Sequence, residues 1–201
     1  DFGADTARLF MLSDSPPERD LDWTEAGVEG AWRYVNRLWR LIVSPLITPA
    51  PHGAPQPEAL SAKSDAAYRF VHKTISAVST DLDRFHFNKA IARIRELTNL
   101  LEALDSDDAS APWVLRQGFE VLVQLISPMM PHLAEELWSK LGHTNLLADT
   151  PWPKADAALI VENVVTVAVQ VNGKLRGTLE LPKDCDPKAA ELAALGLEKV
   201  I

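Results

Sequence analysis

The sequence predicts a mainly α-helical protein in which an antiparallel helix bundle is followed by a small, truncated α+β domain with a β-hairpin. Two patterns carry this prediction. Apolar residues recur at intervals of three and four in successive segments up to about residue 142, as expected for helices that share a core. After residue 160 the interval changes to two, which is typical of strands with one buried face. Most connections are short, which favours antiparallel neighbours.

The clearest helical segment runs from Trp23 to Val43, and the other helices are expected to pack around it. Its apolar positions form one stripe along a helix: Val28, Ala31, Trp32, Val35, Leu38, Trp39 and Ile42. Two tryptophans on that stripe predict a large buried area, because each can bury about 150–250 Å². Asp22 with Glu25 is a plausible capping pair for this helix, and Thr24 is the alternative cap.

Further helices are predicted on both sides of this segment. They cover residues 1–12, Ser64–Asp83, Asn88–Leu104, a helix with Pro112 at its first position, and a helix that begins at Pro131. A proline-rich loop of about fifteen residues separates the first two long helices, and such length indicates a loop that is functional, mobile or wrapped on the surface.

The last part of the chain, residues 161–201, predicts a hairpin and one helix. Alternate valines precede Asn172-Gly173, a strong hairpin signal because both turn positions need positive φ. The return strand stops at Pro182, and Asp186-Pro187 opens the helix. A lone hairpin with one helix is marginally stable, so we expect a small domain that is cut short. A start at Asp1 instead of Met likewise predicts a fragment of a longer protein.

The net charge of −8 argues against general polyanion binding, so any contact with RNA would need a local basic face. Residues 1–22 contribute −4 (two basic and six acidic residues), and residues 102–108 contribute another −4 (four acidic residues). Cations cluster elsewhere, and guanidinium groups suit phosphate oxygens. The candidate phosphate contacts are Arg33, Arg37, Arg40, Arg84, Lys89, Arg93, Lys174 and Arg176. The alternative is that these cations are solvated or paired with carboxylates of neighbouring segments.

No motif in the sequence predicts a catalytic, cofactor or metal site. Glu135 and Glu136 are adjacent and point about 100° apart on a helix, so they cannot form an acid–base pair by themselves. The five histidines show neither i, i+4 spacing nor a neighbouring cysteine pair, and no phosphate-cradling glycine loop is present. Cys185 is the single cysteine, which excludes an internal disulfide and favours an intracellular location. No apolar run is long enough for a membrane span.

Several segments resemble the bacterial leucyl-tRNA synthetase family. The first is GADTARLFMLSDSPPERDLDWTEAGVEGAWRYVNRLW at 3–39, similar to the passage from the catalytic domain into the helical, so-called anticodon-binding domain. FNKAIARIRELTNLL at 87–101 and LISPMMPHLAEELWSKLG at 125–142 are similar to later helices of that domain in the leucyl, isoleucyl and valyl group of class I synthetases. VAVQVNGKLRGTLELP at 167–182 resembles the start of the C-terminal domain of the leucyl enzymes, which separates them from the other two.

The resemblance implies a domain order and a role. Residues 1–22 would be the stub of the connection from the catalytic domain, 23–149 the bundle, 150–160 a linker and 161–201 part of the C-terminal domain. The whole enzyme would join leucine to its tRNA with ATP as substrate, in the cytoplasm. Neither a membrane nor DNA is expected as a partner. Both ATP-binding signatures and the editing domain are absent from these residues, so the isolated fragment is expected to be inactive and to need no cofactor.

The partners implied by the resemblance are leucine-accepting tRNA and the fragment's own catalytic domain. The bundle would brace the tRNA stems without reading the anticodon, and the C-terminal domain would touch the outer corner. Two alternatives stay open: a helical scaffold or protein-interaction module, and the equivalent domain of a valyl or isoleucyl enzyme.

Overall fold

The computed structural model describes residues 2–161, 164–171, 173–182 and 185–197. The helices are α1 (Ala4–Ser13), α2 (Glu25–Val43), α3 (Ala62–Asp83), α4 (Phe87–Glu102), α5 (Ala111–Ile126), α6 (Pro131–Lys140), α7 (Ala157–Ile160) and α8 (Pro187–Leu195). A short 3₁₀ helix, Leu147–Asp149, follows α6, and the strands are β1 (Val164–Val171) and β2 (Lys174–Pro182). The predicted fold class, a helix bundle followed by a hairpin and a helix, is confirmed.

The chain divides into two compact units, residues 1–160 and residues 161–201. In the first unit, α3 packs against α4 and α5, α4 packs against α5, and α5 packs against α6. α2 runs in the same direction as α4, because Tyr34 contacts Thr98 and, one turn later, Arg37 reaches Glu102. The proline-rich loop and the acidic loop after α4 therefore lie at one end of the bundle, and the short α3–α4 turn lies at the other.

The core of this unit centres on α5, which meets α4 at close range. An added Cβ on Gly118 would lie 2.4 Å from Cδ2 of Leu101, so any larger residue would force the Leu101 side chain to move. Phe119 and Leu122 on α5 are fully buried, as is Leu38 on α2. Close packing of this kind makes core positions sensitive to changes of a single methylene group.

One prediction about α2 was wrong, since Trp32 does not anchor the core. Its side chain is 45% exposed, Trp39 is only partly buried, and Tyr34 takes the central buried position instead. The buried face of the helix follows Ala31, Tyr34 and Leu38. The tryptophans lie on the neighbouring ridge of the helix, about 100° away, where Trp39 packs at the edge of the core and Trp32 stays exposed.

Several helix boundaries differ from the sequence prediction by a turn or less. Thr24, and not the Asp22–Glu25 pair, caps α2, because its Oγ1 accepts the Gly27 N–H at 3.3 Å. α3 begins before Ser64, because the Ser61 side chain caps it. Pro112 is the second residue of its helix and not the first.

The N-terminal segment is integrated into the bundle through α1. Asp5 is buried, and its carboxylate accepts the Leu133 N–H at 2.6 Å and pairs with His132 Nδ1 at 2.9 Å. Arg8 donates to the carbonyls of Met129 and Pro128 at 3.0 and 2.7 Å. These contacts satisfy backbone groups around the start of α6 that the helix itself leaves unpaired.

The second unit contains the antiparallel pair β1–β2 and α8. Val167 lies opposite Leu179, Val169 lies opposite Gly177, and an irregularity of register follows Val169. Gly173 has φ of 76°, as a tight hairpin turn requires, whereas the other predicted turn residue, Asn172, lies outside the described residues.

The acidic loop after α4 is held by Asp108, which joins the starts of α3 and α5. Its carboxylate accepts hydrogen bonds from the hydroxyls of Ser61, Ser64 (2.8 Å) and Ser110 (2.6 Å), and from the Ser110 N–H at 2.9 Å. These bonds, the one from the Ser110 side chain above all, hold the pKa of Asp108 well below its usual value. Two other acidic residues near the loop are also paired, Glu102 with Arg37 and Asp105 with Lys63.

We predict that Asp108→Asn lowers the melting temperature at neutral pH by about 2–4 °C, because an amide replaces the charged acceptor of these hydrogen bonds. The folded-state pKa is lowered, so the carboxylate stabilises the fold above its usual pKa of 3.8. The difference between wild type and variant should therefore decrease as the pH falls below 3.8 toward the lowered pKa of the folded state. Thermal unfolding monitored by circular dichroism measures it. Asp107→Asn, at an exposed neighbour, is the control, and an equal loss there would contradict the assignment.

Candidate nucleic-acid interface

The six candidate cations of the bundle do not form one continuous patch, and the other two belong to the second unit. Arg33, Arg37 and Arg40 lie on α2, Arg84, Lys89 and Arg93 on or beside α3 and α4, and Lys174 and Arg176 on β2 in the second unit. Because α2 and α4 run in the same direction, Arg40 is at the opposite end of the bundle from Arg84 and Lys89. α4 has 16 residues, so these ends are about 24 Å apart.

Two of the candidates are paired with carboxylates of other helices of the bundle. Arg37 donates from Nε to Glu102 Oε1 at 2.9 Å and from Nη2 to Glu102 Oε2 at 2.5 Å, and the hydrogen bonding with Glu102 raises the pKa of Arg37. Arg93 donates to the buried carboxylate of Asp81 at 2.6 Å. Both pairs link neighbouring helices, as the scaffold alternative expects, and this geometry reduces their availability to phosphate.

The remaining candidates of the bundle are better placed to meet an anion. Arg40, Arg84 and Lys89 are exposed, and no carboxylate lies within 4.0 Å of their charged groups in the part of the chain that the structure describes. Arg33 lies 3.7 Å from Glu29 in an exposed i, i+4 pair, which holds it weakly. Lys174 and Arg176 are exposed on the hairpin.

The turn between α3 and α4 presents an aromatic side chain beside two of these cations. Phe85 is 65% exposed and adopts φ of 57°, an unfavourable conformation for a bulky residue. The turn is held by the bond from the His86 N–H to the Asp81 carbonyl at 2.8 Å. An exposed ring between Arg84 and Lys89 is the combination that stacks on bases and attracts phosphates. The sequence marks a break here but carries no signal for the positive φ.

Arg95, on the same helix as Lys89, is engaged with the core. Its guanidinium lies 4.5 Å from the centre of the Tyr34 ring, a cation–π contact. Burial raises the pKa of Tyr34 to about 12, and its hydroxyl is hydrogen-bonded with Thr98 at 2.8 Å. Tyr34 is therefore a neutral packing residue at physiological pH.

The adjacent glutamates of α6 have separate structural contacts. The Glu135 carboxylate accepts the N–H groups of Leu147 and Ala148, both at 2.8 Å, at the 3₁₀ helix. Glu136 pairs with Lys140 at 3.2 Å within the helix. Each of the two carboxylates is thus engaged in a structural contact of its own.

The chain matches a known family of tRNA-ligase domains. The family model described as the anticodon-binding domain of tRNA ligase matches residues 66–192. The chain belongs to this anticodon-binding domain family. Within the family, the chain is 64% identical over 200 residues to leucine–tRNA ligase of Paramagnetospirillum magneticum, and 54% identical to that of Rhodospirillum rubrum. Each alignment covers 100% of this chain and 23% of the relative, so the chain spans about a quarter of their length.

A solved structure extends the family comparison to three dimensions. The Agrobacterium radiobacter K84 agnB2 LeuRS, crystallised as a ternary complex with tRNA and LeuAMS, matches with a TM-score of 0.80 and 30% identity. The match covers 99% of this chain and 26% of that one. The resemblance to leucyl-tRNA synthetases is thus confirmed along the whole anticodon-binding domain and the segment after it. Among the described residues, no helix combines the length and apolar character needed to cross a membrane.

We predict that Arg37→Ala destabilises the chain by about 0.5–1 kcal/mol, since it removes a bidentate pair between two helices. Arg40→Ala, one turn along α2, should leave the free energy of unfolding unchanged. Urea denaturation of both variants measures the difference. A double-mutant cycle with Glu102→Gln should assign the loss to the pair, and additive effects would contradict it.

Proposed function

We propose that the chain is the tRNA-binding and positioning part of a leucine–tRNA ligase, the enzyme that attaches leucine to its tRNA with ATP. The match over 99% of the chain to a LeuRS solved with tRNA carries this proposal. The catalytic and editing sites would lie in the rest of the enzyme, which acts in the cytoplasm. The similarity to leucine–tRNA ligases favours this role over a valyl or isoleucyl enzyme.

The proposed RNA contacts are the exposed cations of the bundle and the hairpin. Arg40, Arg84 and Lys89 would neutralise phosphates, with a weaker contribution from Arg33. Lys174 and Arg176 would contact the outer corner of the tRNA. Arg37 and Arg93, which the sequence groups with them, would act mainly by holding the helices in register.

Such contacts fit a positioning role, because phosphate contacts fix orientation without reading sequence. The contact points lie at opposite ends of a rigid bundle, so together they would fix the direction of a stem as well as its distance. In a ligase this matters for rate, since a displacement of the reacting end by about 1 Å can cost about a hundredfold.

A second partner, which would cover the exposed aromatic residues near α1 and on α2, would be the catalytic domain of the same enzyme. Phe2 and Trp32 stack edge to face with ring centres 6.4 Å apart, and both are exposed. Trp23 is also exposed beside Phe10, with ring centres 5.2 Å apart. Exposed aromatic residues at α1 and the start of α2 are suited to cover by another domain.

Filter binding of the full-length ligase to leucine tRNA, to an unrelated tRNA and to a free RNA duplex, at two salt concentrations, tests the proposal. We expect tighter binding of leucine tRNA and a marked decrease in affinity with salt, because bound phosphates release counterions. Equal binding of all three RNAs, or none, by a folded protein would favour the scaffold alternative.

Substitution of single cations should locate the contacts. Arg84→Ala and Lys89→Ala are each expected to reduce affinity for leucine tRNA and to lower the slope of log affinity against log salt by about one. Lys63→Ala is the matched control, because Lys63 is an exposed lysine that pairs with Asp105 in the acidic loop. Unchanged slopes for the first two variants would remove them from the interface.

Phe85 should show opposite effects on stability and on RNA binding. We predict that Phe85→Gly raises the free energy of unfolding by about 1 kcal/mol, because glycine adopts φ of 57° without strain. The same change should weaken tRNA binding by about 1–3 kcal/mol through loss of stacking. Urea denaturation and filter binding measure the two effects. Phe85→Trp should retain binding, and a stable Phe85→Gly variant with unchanged affinity would exclude the ring from the interface.

A further inference from the structure

The fold gathers three metal-ligand side chains that are far apart in the sequence. His52 comes from the proline-rich loop, Glu120 from α5, and His143 from the segment after α6. Glu120 Oε1 lies 2.9 Å from His52 Nδ1 and 3.2 Å from His143 Nε2, and one ligand atom from each residue lies within 4.8 Å of the other two. We propose that these three residues bind a divalent transition-metal ion, for which Zn²⁺ is the best fit.

The backbone around the three side chains is fixed by a buried arginine. Arg116 lies one turn before Glu120 on α5 and donates to the Ala50 carbonyl at 2.6 Å and to the Leu141 carbonyl at 2.8 Å. Each acceptor lies two residues before one of the histidines. A single side chain of the central helix thereby positions both loops that carry the ligands, which is the support that a preorganised site requires.

The orientation of His143 is fixed separately by aromatic stacking. Its ring is parallel to that of Trp138, with centres 3.5 Å apart, and Gly142 turns the chain with φ of 96°. The His143 side chain is 8% exposed and that of His52 is 54% exposed, so an ion could enter from the side of His52 and keep a water ligand there.

The donor set points to zinc. Two imidazole nitrogens with one carboxylate oxygen form a known three-residue set for Zn²⁺, whose fourth position is taken by water. The observed separations between Glu120 and the histidines are close to those between ligands about 2.0–2.2 Å from one ion. Arg116 Nη1 forms an ion pair with Glu120 Oε1 at 3.8 Å but donates no hydrogen bond to it, so this oxygen can still direct a lone pair to a metal ion.

The consequence of binding would be a clamp between the long loop and the bundle. An ion held by His52 on one side and by Glu120 and His143 on the other would tie the loop to α5. This site is independent of the proposed RNA contacts and involves none of their residues. Its failure in the following experiment would leave the proposed tRNA binding untouched.

Isothermal titration of the metal-free chain with Zn²⁺ tests the site, with Co²⁺ as a spectroscopic replacement. We expect one equivalent to bind, with a rise in melting temperature that a chelator reverses. His52→Ala should weaken binding by at least about a hundredfold, since loss of even an outer-shell partner costs about 10–100-fold. The variant should keep the fold, because this side chain is on an exposed loop. Glu120→Gln, which preserves the shape of the side chain, should weaken binding similarly.

His132→Ala is the matched control, since His132 also pairs with a carboxylate, that of Asp5, but has no second histidine beside it among the residues that the structure describes. This variant should bind Zn²⁺ as the wild type does. Absence of binding to the wild type, or binding that neither His52→Ala nor Glu120→Gln reduces, would overturn the proposal and leave a hydrogen-bonded trio without a metal.

Discussion

The burial of α5 is the constraint on which the rest of the bundle depends. None of its sixteen residues is exposed, so the neighbouring elements must cover the helix on all sides. Gly118 admits α4 at close range, and Phe119 fills the centre. Even its polar groups face inward: Arg116 binds loop carbonyls, and the Trp113 indole N–H donates to the Ala54 carbonyl at 3.2 Å. The long proline-rich loop is thus part of the covering of this helix.

The charged side chains of the bundle fall into two groups, those paired between structural elements and those exposed on the surface. Carboxylates at helix ends and between helices are occupied by arginines or hydroxyl groups, as at Asp81 and Asp108. Cations without such partners lie on outer surfaces, where they remain hydrated and available. An acidic protein can therefore present local positive points to a polyanion where its exposed cations have no carboxylate beside them, and the overall charge of −8 does not describe those points.

The sequence predicted helices, their order and the hairpin correctly, because each rests on a periodic pattern that is local. It failed where the outcome depends on distant partners. Trp32 and Tyr34 are both large aromatic residues of α2, and it is the packing of α4 that decides that Tyr34 is the buried one. The pairing of Arg37 with Glu102 and the meeting of His52 with His143 depend on the assembled bundle, so spacing along the chain could not reveal them. The sequence alone could name the candidate cations, but it could not tell those that pair with a carboxylate from those that do not.

The contacts of α1 bear on where this domain can be separated from its neighbours. Leu9 and Phe10 are buried in the core, and the Asp5 carboxylate accepts the Leu133 N–H in the first turn of α6. An expression boundary placed at the first long helix would remove all three and leave an apolar cleft open to solvent. A recombinant version of the bundle should therefore begin upstream of Ala4, even though the long helix is the stronger signal in the sequence.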